Sequence, residues 1–205
     1  MNGYWSIPLI AYLLGSIPFG VLIAKVLGGP DVRSAGSGNI GAANVARTAG
    51  PLAGLLTLLC DAGKGYLAVW IAAHWAHGGA SAQWMISAAV AAVIGHVFPV
   101  WLRFRGGKGV ATMFGAFIPI SGFAVAAAAL VWMLVVGFWR YSSLGSIAAA
   151  AALPILVYLF YAPRHAPPVY ITYGTVFVSL IVLLKHSRNV QRLVAGTENR
   201  LTFRR

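Results

Sequence analysis

The chain has 205 residues, 60% of them hydrophobic and only 9% charged, with 15 lysines and arginines against three acids and a net charge of +12. A soluble domain carries roughly 25% charged residues, so this composition excludes an ordinary soluble fold and reads as one membrane-embedded domain over residues 1–205. The basic excess suits anionic lipid headgroups and anionic substrates. Nucleic acid would account for the charge but not for the long apolar runs, and is excluded as a partner.

The acids are Asp31, Asp61 and Glu198. They are too few and too scattered for a metal-dependent phosphotransferase, so neither a metal nor a cofactor is expected. No Gly-x-Ser-x-Gly elbow places a serine nucleophile, and no histidine has an aspartate five positions on. The single cysteine, Cys60, lies in an apolar run and supports neither a disulfide framework nor a cysteine metal site. Any chemistry must rest on cations, amides and backbone donors.

The first apolar run, Tyr4 to Leu27, is long enough to cross about 30 Å of hydrocarbon as a helix. No basic stretch precedes it, so it reads as a retained span and not a cleaved signal. Gly29 to Gly50 is polar. Ser37, Gly38 and Asn39 form an expected N-cap and turn, followed by a short interfacial helix from Ile40 to Ala49 that ends at Gly50-Pro51. Asn44 and Arg47, three apart, share a face of it. Hydroxyl, amide and guanidinium donors beside a helix start suit a phosphorylated polyol, although an ordinary capped interfacial helix fits the same residues.

Run two, Pro51 to Trp75, carries Asp61 and Lys64 on one face, and such groups should pair away from lipid. They read as a structural pair ahead of a catalytic one. The run closes in an uncharged loop around His74 to Gly79. Run three, Ala82 to Leu102, ends in Gly95-His96-x-Phe98-Pro99, which brings an imidazole toward the next stretch, Arg103 to Thr112, either as a ligand contact or as an ordinary hydrogen-bonded interfacial histidine. There Gly106, Gly107 and Gly109 leave the backbone bare around Lys108, and a helix start is expected at Val110. This reads as a phosphate cradle. It is not a Walker A loop, and a basic turn kept on the cytoplasmic side is the plainer alternative.

Val110 to Ile118 is a short fourth run broken at Pro119 to Gly122. Phe123 to Trp139, Leu144 to Tyr161 and Val169 to Leu184 are the fifth, sixth and seventh, with a turn from Pro163 to Pro168. A basic tail follows, in which His186 and Asn189 share a face; taken alone, it reads as a juxtamembrane segment that binds anionic lipid. With seven crossings and an external N-terminus, thirteen of the fourteen basic residues outside the membrane fall on the inner side, Arg164 being the exception. The expected fold is therefore an all-α integral membrane protein with seven transmembrane helices, N-terminus outside, C-terminus cytoplasmic, and a short interfacial helix after the first span.

Taken together, Gly36-Ser-Gly-Asn-Ile-Gly-Ala-Ala-Asn44, Asp61-x-x-Lys-Gly65, Gly95-His-x-Phe-Pro99, Gly106-Gly-Lys-Gly-Val-Ala-Thr112, Arg140-Tyr141, His186-x-x-Asn189 and Gly196-Thr-Glu198 resemble the bacterial acyl-phosphate-dependent glycerol-3-phosphate acyltransferases, the PlsY family. The resemblance runs from the first span to the tail. It implies an enzyme of the bacterial inner membrane with its active site facing the cytoplasm. The implied reaction moves a fatty acyl group from acyl phosphate to the sn-1 hydroxyl of glycerol 3-phosphate, giving lysophosphatidate and phosphate, the start of phospholipid synthesis. Carried over residue by residue, Ser37, Arg47, Lys108, His186 and Asn189 are the implied catalytic and glycerol-3-phosphate-binding residues. Asn39, Asn44, His96, Gly106, Gly107, Lys108, Gly109 and Thr112 are the implied acyl-phosphate site. Ala43 and Ser187 depart from the family pattern, where a threonine and a basic residue are usual. A transporter or channel for phosphate-bearing anions is the alternative from another class. Against it, the ionisable groups gather on one face, with only Asp61 and Lys64 within the membrane.

Overall fold

The structure, a computed structural model, describes residues 3–76, 81–161 and 166–201. His77 to Gly79 of the expected loop, Arg164, and the beginning of the turn expected from Pro163 lie outside the described residues. Among the described residues every regular element is helical. The chain divides into two compact units, residues 1–120 and 121–205.

In the first unit α1 (Ser6–Ser16) and α2 (Phe19–Val26) together make the first apolar span. Pro18 has no N–H to continue a helix and disfavours helical geometry at the residue before it, so the span breaks at Ile17, which is extended. The short helix expected after the first span is α3 (Ala42–Ala49), which starts two residues later than the sequence suggests. Its N-cap is Gly41, not Ser37 or Asn39, because Asn39 Oδ1 accepts the Gly41 N–H at 2.7 Å and ends its own turn first. Gly50 (φ +96°) then reverses the chain into α4 (Pro51–Trp75), which opens with Pro51 in its first turn. After the next loop come α5 (Ser81–Val97) and a short 3₁₀ turn, Val100–Leu102.

Lipid supplies no hydrophobic drive for helices to associate, so they pack through small residues. A Cβ on Gly15 would meet the Ala92 backbone and one on Gly95 the Tyr12 backbone, so α1 and α5 touch main chain to main chain. The same close approach joins α4 to α6 (Val110–Trp139), whose start belongs to the first unit: a Cβ on Gly65 would meet Thr112 O, and one on Gly115 would meet Ala62 O.

As a continuous helix, the 30 residues of α6 would be about 45 Å long, well beyond the hydrocarbon thickness of about 30 Å. It is broken at Ser121 (φ −157°, ψ 87°), two residues after Pro119. The sequence suggests two runs parted by a loop from Pro119 to Gly122. Instead one non-helical residue parts them, and Ser121 Oγ donates to Phe160 O at 3.0 Å. The second unit continues with α7 (Ser142–Phe160), α8 (Val169–Leu184) and α9 (Ser187–Val194). Ser6–Val26, Pro51–Trp75, Ser81–Leu102, Val110–Trp139 and Ser142–Phe160 are each long and apolar enough to cross a membrane, and α8 with α9 is a further candidate bent by 52°.

Candidate active site

The first polar loop is organised from inside by Asn44, which is only 2% exposed. Its Oδ1 accepts the Ser37 N–H at 2.8 Å. Its Nδ2 donates to the carbonyls of Val32 (2.9 Å), Ala35 (3.1 Å) and Asn39 (2.8 Å). One amide thus gathers residues 32–39 around the first turn of α3. Gly36 has φ +59°, and a Cβ there would meet Asn44 Oδ1, so the loop passes over the amide only where a side chain is missing. Expected as a ligand contact, Asn44 instead spends its donors on the loop and shapes the site indirectly. Asn44 and Arg47, three apart on α3, both reach Ser37, Asn44 accepting its N–H from the buried side and Arg47 donating to its hydroxyl from the exposed side.

Two functional candidates remain on the open side. Arg47 Nη2 donates to Ser37 Oγ at 3.4 Å, and both residues are exposed. Asp31 holds Arg33 in a two-pronged pair at 2.7–3.1 Å. Hydrogen bonds from the Arg33 side chain and backbone keep the Asp31 carboxyl down at about 2. Beneath the loop, Ala24, Val32, Ile40, Val45 and Ala53 form an apolar cluster against which Leu102, just before the glycine turn, also packs. The two basic patches of this unit therefore rest on one core.

The glycine turn differs from a bare anion cradle. Gly106 N–H donates to Val97 O (3.2 Å) and Gly107 N–H to His96 O (3.1 Å), so two of the expected anion donors are used to fasten the turn to the end of α5. Glycine is required there by space: a Cβ on Gly106 would meet His96 O and one on Gly107 would meet His96 Nε2. The chain enters through left-handed Arg103 (φ 51°) and Phe104 (φ 62°) and leaves through Gly109 (φ +87°). Beyond it, the first turn of α6 leaves its N–H groups without intrahelical partners, with Lys108 half-buried at its entrance. Thr112 is fully buried, and its hydroxyl has no hydrogen-bond partner among the described residues.

Asp61 and Lys64 do pair, Lys64 Nζ lying 2.8 Å from Asp61 Oδ1 with both side chains 3% exposed. The ammonium's directed hydrogen bond, however, goes to Ile17 O at the break in the first span (2.8 Å). Sequence reasoning missed the third member. His96 Nδ1 lies 3.5 Å from Asp61 Oδ1 without a hydrogen bond between them, so the fold sets a histidine beside a carboxylate in a way that the motifs alone do not suggest. Helix register could have found it. Asp61 stands 14 residues before the end of α4 and His96 15 residues after the start of α5. At 1.5 Å per residue both lie about 21 Å from the connecting loop.

In the second unit His186 sits at the bend between α8 and α9, 2% exposed, with Nδ1 2.7 Å from Val182 O. A carbonyl can only accept, so this nitrogen carries the proton. Asn189 N–H donates to His186 O at 2.8 Å, which places the two candidates one turn apart as expected. The sequence gives no role to Glu198, yet it is the organiser here. Its Oε1 accepts from Asn189 Nδ2 (2.7 Å) and Ser143 Oγ (2.8 Å), and its Oε2 from Arg192 Nε (2.6 Å). Burial alone would raise the Glu198 carboxyl, but the hydrogen bonds from Ser143, Arg192 and Asn189 outweigh it and hold it below the ordinary glutamate range. The tail then crosses the α6–α7 turn, with Arg200 Nε donating to Tyr141 OH (2.8 Å) and Leu201 N–H to Arg140 O (2.7 Å).

These features can be set against known proteins. The model of the family described as glycerol-3-phosphate acyltransferase matches residues 5–196. The glycerol-3-phosphate acyltransferase of Syntrophotalea carbinolica is 48% identical over 98% of both chains. That of Gluconobacter oxydans is 48% identical over 98% of this chain and 96% of its own. Among solved structures, the glycerol 3-phosphate form of PlsY (YgiH), an integral membrane glycerol 3-phosphate acyltransferase, superposes with a TM-score of 0.88 at 34% identity, covering 97% of this chain and 96% of that one. Its lysophosphatidic acid form gives 0.86 at 33% identity, over 97% and 95%. The chain is an integral membrane acyltransferase of phospholipid synthesis and belongs to the glycerol-3-phosphate acyltransferase (PlsY) family.

Proposed function

We propose that the protein transfers a fatty acyl group from acyl phosphate to the sn-1 hydroxyl of glycerol 3-phosphate, releasing lysophosphatidate and inorganic phosphate. The observation that carries this reading is the shared core of the two basic patches: Ser37 and Arg47 on one loop, and the entrance to the Lys108 turn through Leu102. Two sets of cations on one support suit a reaction that joins two phosphate-bearing molecules. Ser37, Arg47, Lys108, His186 and Asn189 are assigned to glycerol 3-phosphate. Lys108, Gly109, Thr112 and the first turn of α6 are assigned to the donor's phosphate. Asn39, Asn44, His96, Gly106 and Gly107 serve that site by holding its backbone in place.

In the reaction, the sn-1 oxygen attacks the acyl carbonyl carbon. A C–O ester bond forms, the bond from that carbon to the phosphate oxygen breaks, and phosphate leaves with the electron pair. The hydroxyl proton passes to a phosphate oxygen of the substrates. Because the mixed anhydride arrives activated, alignment and charge stabilisation suffice. The placement is seven crossings in a bacterial inner membrane, with the N-terminus outside and the two basic patches facing the cytoplasm, supported by the distribution of lysine and arginine.

The test supplies detergent-purified protein with glycerol 3-phosphate and, in turn, palmitoyl phosphate, palmitoyl-coenzyme A and palmitoyl carrier protein. Lysophosphatidate should form from the acyl phosphate alone. Comparable rates from palmitoyl-coenzyme A without acyl phosphate would refute the donor assignment.

A further inference from the structure

Asp61, Lys64 and His96 form a buried cluster that this reaction does not consume. Each side chain is 3% exposed. A lone buried carboxylate or ammonium would be very costly, so Asp61 and Lys64 stand as a neutral pair. Lys64 is held on its far side by Ile17 O, and its ammonium lies 5.7 Å from the centre of the Phe19 ring. The carboxylate is thereby fixed from the break in the first span. A third, unbalanced charge on His96 would carry the same penalty, so the imidazole is neutral and one ring nitrogen bears its proton. The carboxylate oxygen lies on the Nδ1 side, 3.5 Å away, and although neither atom has a hydrogen-bond partner among the described residues, a carboxylate facing a bare ring nitrogen would repel its lone pair. The proton therefore sits on Nδ1. Nε2 is left as an acceptor against the Gly107 backbone, whose N–H donates to the carbonyl of the same histidine.

We propose that Asp61 is a positioning residue for the glycine turn: it sets the tautomer and ring plane of His96, which grips Gly107 through its ring and its carbonyl and so fixes where Lys108 stands. An acceptor nitrogen repels a phosphate oxygen, so His96 shapes the donor's site and does not ligate the phosphate. This rests on the reading of the Lys108 turn as that site.

The experiment uses the full chain in detergent with ¹⁵N-labelled histidine, and the His96 signals are identified by their loss in His96→Gln. In the unaltered protein near about pH 7, His96 should show a protonated Nδ1 and a bare Nε2. The paired replacement Asp61→Leu with Lys64→Met removes both charges together, as apolar replacements of buried ion pairs allow. It should move the proton to Nε2 and lower kcat/KM about a hundredfold, chiefly through the KM for the acyl donor, as a displaced reactive group does. A bare Nδ1 or a doubly protonated ring in the unaltered protein overturns the proposal, whether or not the variant folds. So does a folded variant whose kcat/KM stays within about threefold of the original, since a hundredfold loss is expected. The nitrogen spectrum is recorded without substrate, so failure of acyl phosphate as donor would sink the proposed reaction and leave this assignment standing.

Discussion

Asn44→Asp isolates what one buried amide does for the first polar loop. The change keeps the shape and keeps an acceptor for the Ser37 N–H, but removes the donors to Val32, Ala35 and Asn39 and sets a carboxylate oxygen near 3 Å from three carbonyl oxygens. The amide has two N–H donors shared among these three carbonyls, so at about 1 kcal/mol per neutral hydrogen bond their loss costs the ordered loop about 2 kcal/mol. That is roughly a 30-fold shift toward disorder. When only a fraction of the protein is competent to bind, the apparent affinity falls by that fraction. The KM for glycerol 3-phosphate should therefore rise by one to two orders of magnitude, with kcat at saturation much less affected. Because the α3–α4 contact is apolar and untouched, the thermal midpoint should fall far less than the KM rises. Steady-state kinetics over a wide glycerol 3-phosphate range, paired with thermal unfolding in the same detergent, read both quantities. A KM within about twofold of the original in folded protein would refute the reasoning, because the loop would then hold its shape without the amide.

Lys108→Ala should lower kcat about a hundredfold or more in single-turnover assays while leaving the melting curve in place. Activity that merely tracked the amount of folded protein would make Lys108 structural. Arg47→Lys should raise the glycerol 3-phosphate KM about tenfold, because an ammonium cannot reproduce a two-pronged guanidinium contact. Gly107→Ala puts a methyl group onto His96 Nε2. Overpacking of this kind costs about 1–3 kcal/mol, which should appear as a lower melting temperature together with a raised donor KM. For Glu198 the folded carboxyl lies below its ordinary 4.5. Its stabilisation is therefore present above that value and is lost as pH falls through it. The melting temperature of the unaltered protein should drop on acidification below about pH 5, more steeply than that of Glu198→Gln, which should start lower at neutral pH. Parallel curves would show that the Glu198 hydrogen bonds do not carry the acid sensitivity.

Much of the fold is written in the apolar runs. Pro51–Trp75 and Val169–Leu184 appear as helices with the limits that composition suggests, because hydrocarbon tolerates only segments that satisfy their own backbone. The break between the fourth and fifth runs is visible in Pro119, but its form is not, since whether Ser121 alone can absorb it depends on a tertiary bond to Phe160. In the site, residue types are legible and their duties are not. The stretch from Ser37 to Arg47 announces donors, but only the fold reveals that Asn44 turns inward while Arg47 stays out. Gly106 and Gly107 read as donors to an anion, and in fact they make room for the end of α5. Glu198 shows the same limit toward Ser143 and Asp61 toward His96, because partners so far apart along the chain leave no local pattern, whereas Lys64 and Arg192 lie near their acids in sequence.

The histidine–carboxylate pair bears directly on the choice of donor. From the sequence no such pair is in sight, which leaves the chemistry to cations, amides and backbone donors. The fold provides one, so that argument has to rest on where the pair stands. A general base must reach the hydroxyl it deprotonates. His96 is buried, with Asp61 3.5 Å from one ring nitrogen and Gly107 packed on the other. A hydroxyl could reach that ring only by displacing the turn that carries Lys108. The pair is thus committed to structure. The exposed part of the first patch offers a guanidinium and a hydroxyl, and the glycine turn offers an ammonium. Such groups stabilise negative charge but take up no proton near neutral pH, which fits a donor whose leaving group needs no protonation and whose phosphate can accept the proton itself.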